Sequence, residues 1–267
     1  MTNKIDKQEW FNVLKDELNN MKNLKVYEFT KIVPKGANIV SRYKYNSDNT
    51  INKRKARLVA RGFTKKEGVD YNETYSPTLK QDSLRIVTSL AVTHGFNIYQ
   101  IDIKAAYSCA DLDEEVYMEV PEGTNGYKWR VKKILYKLKQ SCRLWKNKIN
   151  KELINIGFKK LKREPCMYVK FNRNNEIICL LTVYVNDILI TGKENEINLT
   201  KRLLKQRFNV NDIGPVHTNI DINFEKTTNE YILHQQRHLE NLLSKFNIDN
   251  YKPSQNMTPD EYPALKR

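Results

Sequence analysis

The sequence predicts an α+β fold, an antiparallel sheet backed by helices, and three observations carry that prediction. Apolar residues recur at helical spacing in several separate segments. Short apolar runs bounded by polar turns alternate with those segments and read as strands. Neither an internal repeat nor a long Pro, Gly or Ser linker interrupts the mixture, so one continuous domain is expected.

Taken in chain order, Trp10, Leu14, Leu18 and Met21 share a helical spacing behind Asp6 and Glu9, a capping-box pattern. Asp82 is placed to cap a helix carrying Val87, Leu90 and Ala91, with Gly95 just past its end. Ile98 to Ile103 reads as a strand that delivers Asp102. Ser141 is placed to cap a helix with Trp145, Ile149, Leu153 and Ile156 on one face, stopped by Gly157. Tyr168 to Phe171 and Ile177 to Tyr184 flank the polar turn Asn172-Arg173-Asn174-Asn175. A second hairpin follows, with Val185-Asn186-Asp187 as its turn and Ile188 to Thr191 as its return strand. Leu203, Leu204 and Phe208 suggest a helix, Ile220 to Phe224 and Tyr231 to Leu233 a strand pair, and Leu239, Leu242, Leu243 and Phe246 a last helix. Residues 1–9 are expected to be a flexible N-terminus and 10–250 the folded domain. The stretch 251–267 holds three prolines and no periodicity, and is expected to be a loose tail.

Lys and Arg number 46 against 31 Asp and Glu, a formal charge of +15. That balance favours a polyanionic partner, although charge alone does not choose between nucleic acid and an acidic membrane, and a Lys- and Asn-rich composition accounts for part of it. The four cysteines form no Cys-x-x-Cys pair, so neither a zinc knuckle nor a disulfide framework is indicated. They read as reduced intracellular thiols. Nowhere does an apolar run approach the ~20 residues needed to span a bilayer, and the first residues are polar. A soluble protein of the cytoplasm or nucleus, with no membrane partner, is therefore expected.

The acidic residues are the first candidates for chemistry. Two-metal nucleotidyl transfer needs carboxylates on rigid strands that hold a pair of magnesium ions about 3.5–4 Å apart. Asp102 ends a predicted strand, and Asp187 lies in a tight turn between apolar strands. On position alone, an Asp in such a turn is ordinarily a turn former that bonds its own backbone.

The surrounding text changes that balance. Lys55-Ala56-Arg57-Leu58-Val59-Ala60-Arg61-Gly62-Phe63, Asp70-Tyr71-Asn72-Glu73-Thr74-Tyr75-Ser76-Pro77 and Gln100-Ile101-Asp102-Ile103-Lys104 occur in that order. Leu112-Asp113-Glu114-Glu115-Val116-Tyr117-Met118 with Pro121-Glu122-Gly123 follows, then Leu138-Lys139-Gln140-Ser141, Pro165-Cys166-Met167-Tyr168 and Tyr184-Val185-Asn186-Asp187. From about Trp10 to Phe246 the chain resembles the reverse transcriptase, an RNA-dependent DNA polymerase, of copia-type LTR retrotransposon Pol polyproteins. The resemblance implies a right-hand polymerase fold of fingers and palm with the start of a thumb. It also implies templated addition of deoxynucleotides to a primer.

By that resemblance, Asp102 matches the first catalytic carboxylate, contacting both metals, and Asp187 the second member of the hairpin pair that Tyr184 and Val185 lead into. Two magnesium ions, with manganese as an alternative, are the cofactors it implies. Tyr107 falls where the family places the aromatic ring that blocks a ribose 2′-hydroxyl, and is otherwise an ordinary core aromatic. Lys55, Arg57 and Arg61 match the fingers strand over the incoming triphosphate, where guanidinium forks suit phosphate oxygens; a solvated basic face is the alternative. Gln140 matches the Gln near nucleotide and template, or is a surface residue capping the following helix. The implied partners are an RNA or DNA primer-template, deoxynucleoside triphosphates and other retrotransposon proteins.

Several positions depart from the family pattern. The family hairpin reads Tyr-Val-Asp-Asp, and this one has Asn186 at the third position, a degenerate ligand site. An amide oxygen can ligate magnesium, but one negative charge is gone from a site that must neutralise two dications, and hard cations prefer anionic oxygen. Lys137 stands where the family has Gly, Cys142 where it has Pro, and Asn219-Ile220-Asp221-Ile222 where it has Phe-Leu-Gly-Ile. The chain is also expected to be truncated before an RNase H domain. Weak or absent polymerisation follows as the expectation, the alternative being a relic that only binds nucleic acid.

Overall fold

The structure, a computed structural model, describes residues 4–30, 37–45, 51–60, 68, 73–118, 128–136, 138–228 and 230–248, and of these it describes 4–7, 29–30, 37–45, 51–60, 113–118, 128 and 237 by their backbone. Helix α1 (Lys4–Asn23) leads into strands β1 (Tyr27–Thr30), β2 (Ala37–Tyr45) and β3 (Ile51–Ala60). Helix α2 (Gln81–Thr93), β4 (Ile98–Ile103), β5 (Asp111–Met118), β6 (Lys128–Lys133) and α3 (Ser141–Asn155) follow. Next come β7 (Lys159–Lys160), β8 (Met167–Phe171), β9 (Ile177–Tyr184), β10 (Asp187–Gly192), α4 (Glu194–Arg207) and β11 (Val210–Pro215). The chain continues through β12 (Thr218–Asn219), β13 (Ile222–Lys226), β14 (Tyr231–His234) and α5 (Gln236–Lys245). Two compact units result, Met1–Val216 and His217–Arg267. The mixed helices and antiparallel sheets agree with the α+β expectation. Among the described residues, no helix is long and apolar enough to cross a membrane.

In the first unit the central sheet has the order β11-β4-β10-β9-β8-β7, and each described pairing in it is antiparallel. Period-two alternation divides its residues between two faces. Ile101 and Ile103 of β4, Leu181 and Val183 of β9, and Ile188 and Ile190 of β10 pack with Trp145, Ile149 and Leu153 of α3 and Ile197 and Leu204 of α4 into one core. The alternate residues, Gln100, Asp102, Leu189 and Asp187, therefore belong to the opposite face. Burying an aliphatic side chain of this kind stabilises by about 1.5–3 kcal/mol, and a one-residue slip would turn the whole apolar set outward. The register that places Asp102 is thus held by its hydrophobic neighbours. A second core joins Met21 and Val26 to Trp129, Val131, Ile134 and Leu135 beside the small sheet β1-β6-β5.

Several local expectations are corrected. Helix α1 begins at Lys4, so Asp6 and Glu9 lie within it and not at its cap; a first-turn acid is as well served by the helix dipole. Helix α2 is entered from Lys80, whose backbone is extended, and Asp82 sits in the first turn beside Arg85, 3.7 Å away. The start of α3 is set at Gln140, because Ser141 is buried and donates its hydroxyl to the Leu135 carbonyl over 2.7 Å. Both helices end as expected, with Gly95 (φ 66°) and Gly157 (φ 97°) just past them in conformations that favour glycine. The turn after β8 is an Asx turn: Asn172 Oδ1 accepts the backbone N–H groups of Asn174 and Glu176, each over 2.9 Å.

In the second unit, β12, β13 and β14 form an antiparallel sheet followed by α5. The strand expected over Ile220 to Phe224 starts only at Ile222, since Ile220 (φ 48°) and Asp221 (φ 57°) form the turn after β12. β-Branched Ile reads as a strand residue but is held here in the left-handed region, where Gly or Asn is at ease. The tail expected at 251–267 lies outside the described residues.

Candidate active site

The site is built on the edge-to-edge meeting of β4 and β10. Asp187 pairs directly with Asp102, and the Ile103 N–H donates to the Asn186 carbonyl over 2.9 Å. A bond between the residues that flank the pair makes it the narrow, non-hydrogen-bonded type, with Cα atoms about 4.5 Å apart and side chains on one face. Two like charges directly opposite are destabilising unless a donor or a cation lies between them. On its other side, β4 pairs Asp102 with Asn211 of β11.

The turn that carries the third position is tighter than expected. Tyr184 pairs with Asp187, so the loop is Val185 and Asn186 alone, and Asp187 opens β10. Val185 has φ 54°, a conformation that costs a β-branched residue on the order of 1–3 kcal/mol and persists only where surroundings enforce it. One such constraint is evident. Trp145 donates its indole N–H to the Val185 carbonyl over 2.7 Å, from a ring buried in the core under the sheet. The strained turn holds Asn186 so that its Nδ2 amide donates to Asp102 Oδ1. Asp102, Tyr184, Val185, Asn186 and Asp187 are all half-buried.

Tyr107 follows β4 on a short 3-10 helix, Ala106–Cys109, entered through Ala105 at φ 50°. Its ring packs against both cores and meets Tyr136 edge-on at 5.3 Å between centroids. Its hydroxyl lies 3.2 Å from the Cys142 thiol, the residue that stands where the family pattern has Pro. Burial, then the bond to Cys142, hold the Tyr107 phenol above its ordinary range, so it stays a neutral hydroxyl. The start of α3 is further tied to the block ending at Pro77. Arg143 Nε donates to the Glu73 carbonyl over 2.9 Å, and Ser76 Oγ donates to the Cys142 carbonyl over 3.3 Å.

The remaining sequence candidates are placed unevenly. Gln140 is fully buried, which removes the reading of it as a surface cap. Lys55 and Arg57 lie in β3, paired with Arg42 and Val40 of β2. Arg61 and Lys137 lie outside the described residues. The structure thus brings together Asp102, Asn186, Asp187, Tyr184 and Val185. Trp145 and Cys142 were missed as site residues: Trp145 reads as pure core from its helical spacing, and a thiol contact to Tyr107 has no sequence signature.

The donor set decides what the site can hold. Two carboxylates on adjoining strands could supply part of a dication site, but at the third position the amide presents N–H to Asp102 and no negative charge. Among the described residues, no group of three or more His, Cys, Asp or Glu side chains gathers for a metal. As folded, these residues do not fit a pair of magnesium ions.

The family described as reverse transcriptase (RNA-dependent DNA polymerase) matches residues 24–260. The chain is 35% identical over 262 residues to the retrovirus-related Pol polyprotein from transposon TNT 1-94 of Nicotiana tabacum, covering 93% of this chain and 20% of that protein. It is 34% identical over 257 residues to the corresponding polyprotein from transposon RE1 of Arabidopsis thaliana, covering 92% and 17%. The chain therefore spans about a fifth of the length of these relatives. A foamy viral protease-reverse transcriptase solved in complex with dsDNA is similar at 14% identity with a TM-score of 0.49, over 89% of this chain and 47% of that one.

Proposed function

The chain belongs to the copia-type reverse transcriptase family, and from that premise we propose that it is a polymerase domain that binds primer-template duplex but adds deoxynucleotides poorly. The observation that carries this reading is the pair Asp102 and Asp187, directly opposite on adjacent strands, with an amide at the neighbouring position where the family hairpin has a carboxylate. In this reading the strand register sets the two carboxylates side by side, and the Asn186 amide removes charge from the site. Losing one preorganised electrostatic contributor typically costs ~10²–10³ in rate.

Duplex binding draws support from the charge of +15, which favours a phosphate backbone. In this reading Tyr107 stands beside the incoming nucleotide and its ring excludes a 2′-hydroxyl, the group that distinguishes ribose from deoxyribose. Lys55, Arg57 and Arg61 receive the triphosphate. The partners are an RNA or DNA primer-template and deoxynucleoside triphosphates.

The binding half is tested by fluorescence anisotropy with a labelled primer-template duplex. Saturable binding whose log affinity falls linearly with log salt supports it. Affinity no greater than for an unstructured polyanion of equal charge contradicts it.

A further inference from the structure

Resting on the reading of this sheet as an impaired polymerase site, we propose that Asn186 closes the site on itself: its amide N–H serves Asp102 in place of a divalent cation, making the fold independent of one. Facing carboxylates in a narrow cross-strand pair repel one another and need a donor or a cation. Asn186 supplies a donor, Nδ2 to Asp102 Oδ1, from the turn residue next to Asp187.

The turn that carries that amide is held at two successive carbonyls, one by a backbone donor and one by a side-chain donor. The Asn186 carbonyl accepts the Ile103 N–H over 2.9 Å, and the preceding Val185 carbonyl accepts the Trp145 indole over 2.7 Å. The side chain is thereby delivered to Asp102 by a constrained turn. Aspartate in the same place has nearly the same shape and no donor when ionised. It would set a third negative group beside Asp102 and Asp187, an arrangement that a cation relieves. Asparagine reverses the sign of the contact: a cation arriving at Asp102 must first displace the amide N–H, and finds one anionic ligand fewer when it does.

Thermal unfolding of the whole chain without nucleic acid, with magnesium or manganese chloride against potassium chloride of equal ionic strength, tests this. The native protein is expected to show no cation-specific rise in Tm. Asn186→Asp is expected to melt lower without divalent cation and to regain roughly 5 °C with it. Asn186→Ala removes the donor without adding charge, so it is expected to gain a smaller but definite cation-specific rise, and it serves if the Asp variant does not fold. A cation-specific rise in the native protein equal to that of the variants overturns the proposal, as does the absence of any rise in a folded variant. Duplex binding plays no part in the readout, so a failure here is distinct from a failure of the proposed function.

Discussion

The indole N–H of Trp145 donates to the carbonyl oxygen of Val185 over 2.7 Å, linking the interior of α3 to the turn between β9 and β10. Val185 adopts a left-handed conformation that its branched side chain disfavours, so the indole helps hold a turn that would otherwise relax. Trp145→Phe keeps an aromatic ring near Phe208 and removes the donor. Urea unfolding should show a loss of about 2 kcal/mol, from the broken bond together with the missing ring volume. An unchanged midpoint and slope would mean that the bond does not constrain the turn.

Gly192 ends β10 at φ 150°, and a Cβ there would stand 2.4 Å from the Ile178 carbonyl oxygen and 2.7 Å from the Cys179 Cα. Both obstacles are backbone of the neighbouring strand and cannot rotate away. Gly192→Ala should therefore destabilise by roughly 2–4 kcal/mol in chemical denaturation. A variant as stable as the native chain would refute this register between β9 and β10.

Glu152 of α3 is buried, paired with Lys148 at 3.1 Å and with Arg207 of α4. Burial opposes its ionisation, but the bonds and charges of Lys148 and Arg207 outweigh that and hold its carboxyl below its ordinary value of 4.5. A carboxyl whose folded value is depressed contributes stability above its unfolded value, and that contribution is lost as pH falls through the folded one. Glu152→Gln should cost about 2 kcal/mol at neutral pH, and the gap to the native chain should narrow steadily below pH 4.5. Unfolding free energies at a series of pH values check this; a gap constant with pH would show that the ion pairs contribute nothing.

The parts of the fold legible in the sequence are those where alternation and burial agree. Ile98 to Ile103 was readable as the strand delivering Asp102 because its apolar residues enter the core, and the bounds match β4. The hairpin from Ile177 to Thr191 was readable for the same reason, short of the two end residues of its return strand, Asp187 and Gly192. Strand β11 escaped because it is largely exposed and joins the sheet through its backbone, leaving little apolar pattern to read. Cap residues were misplaced where tertiary contacts competed: Ser141 is drawn inward to the Leu135 carbonyl and is lost to the helix end. Asn186 was recognisable as a missing carboxylate. That it donates to Asp102 depends on a two-residue loop, which local sequence did not distinguish from a three-residue one.

Primer extension by the native chain beside Asn186→Asp, on one primer-template with magnesium present, tests the central claim most directly. The account predicts little or no extension by the native protein and a rise of about 10²–10³ in rate on restoring the carboxylate. Robust synthesis by the native protein, equal to that of the variant, would contradict it.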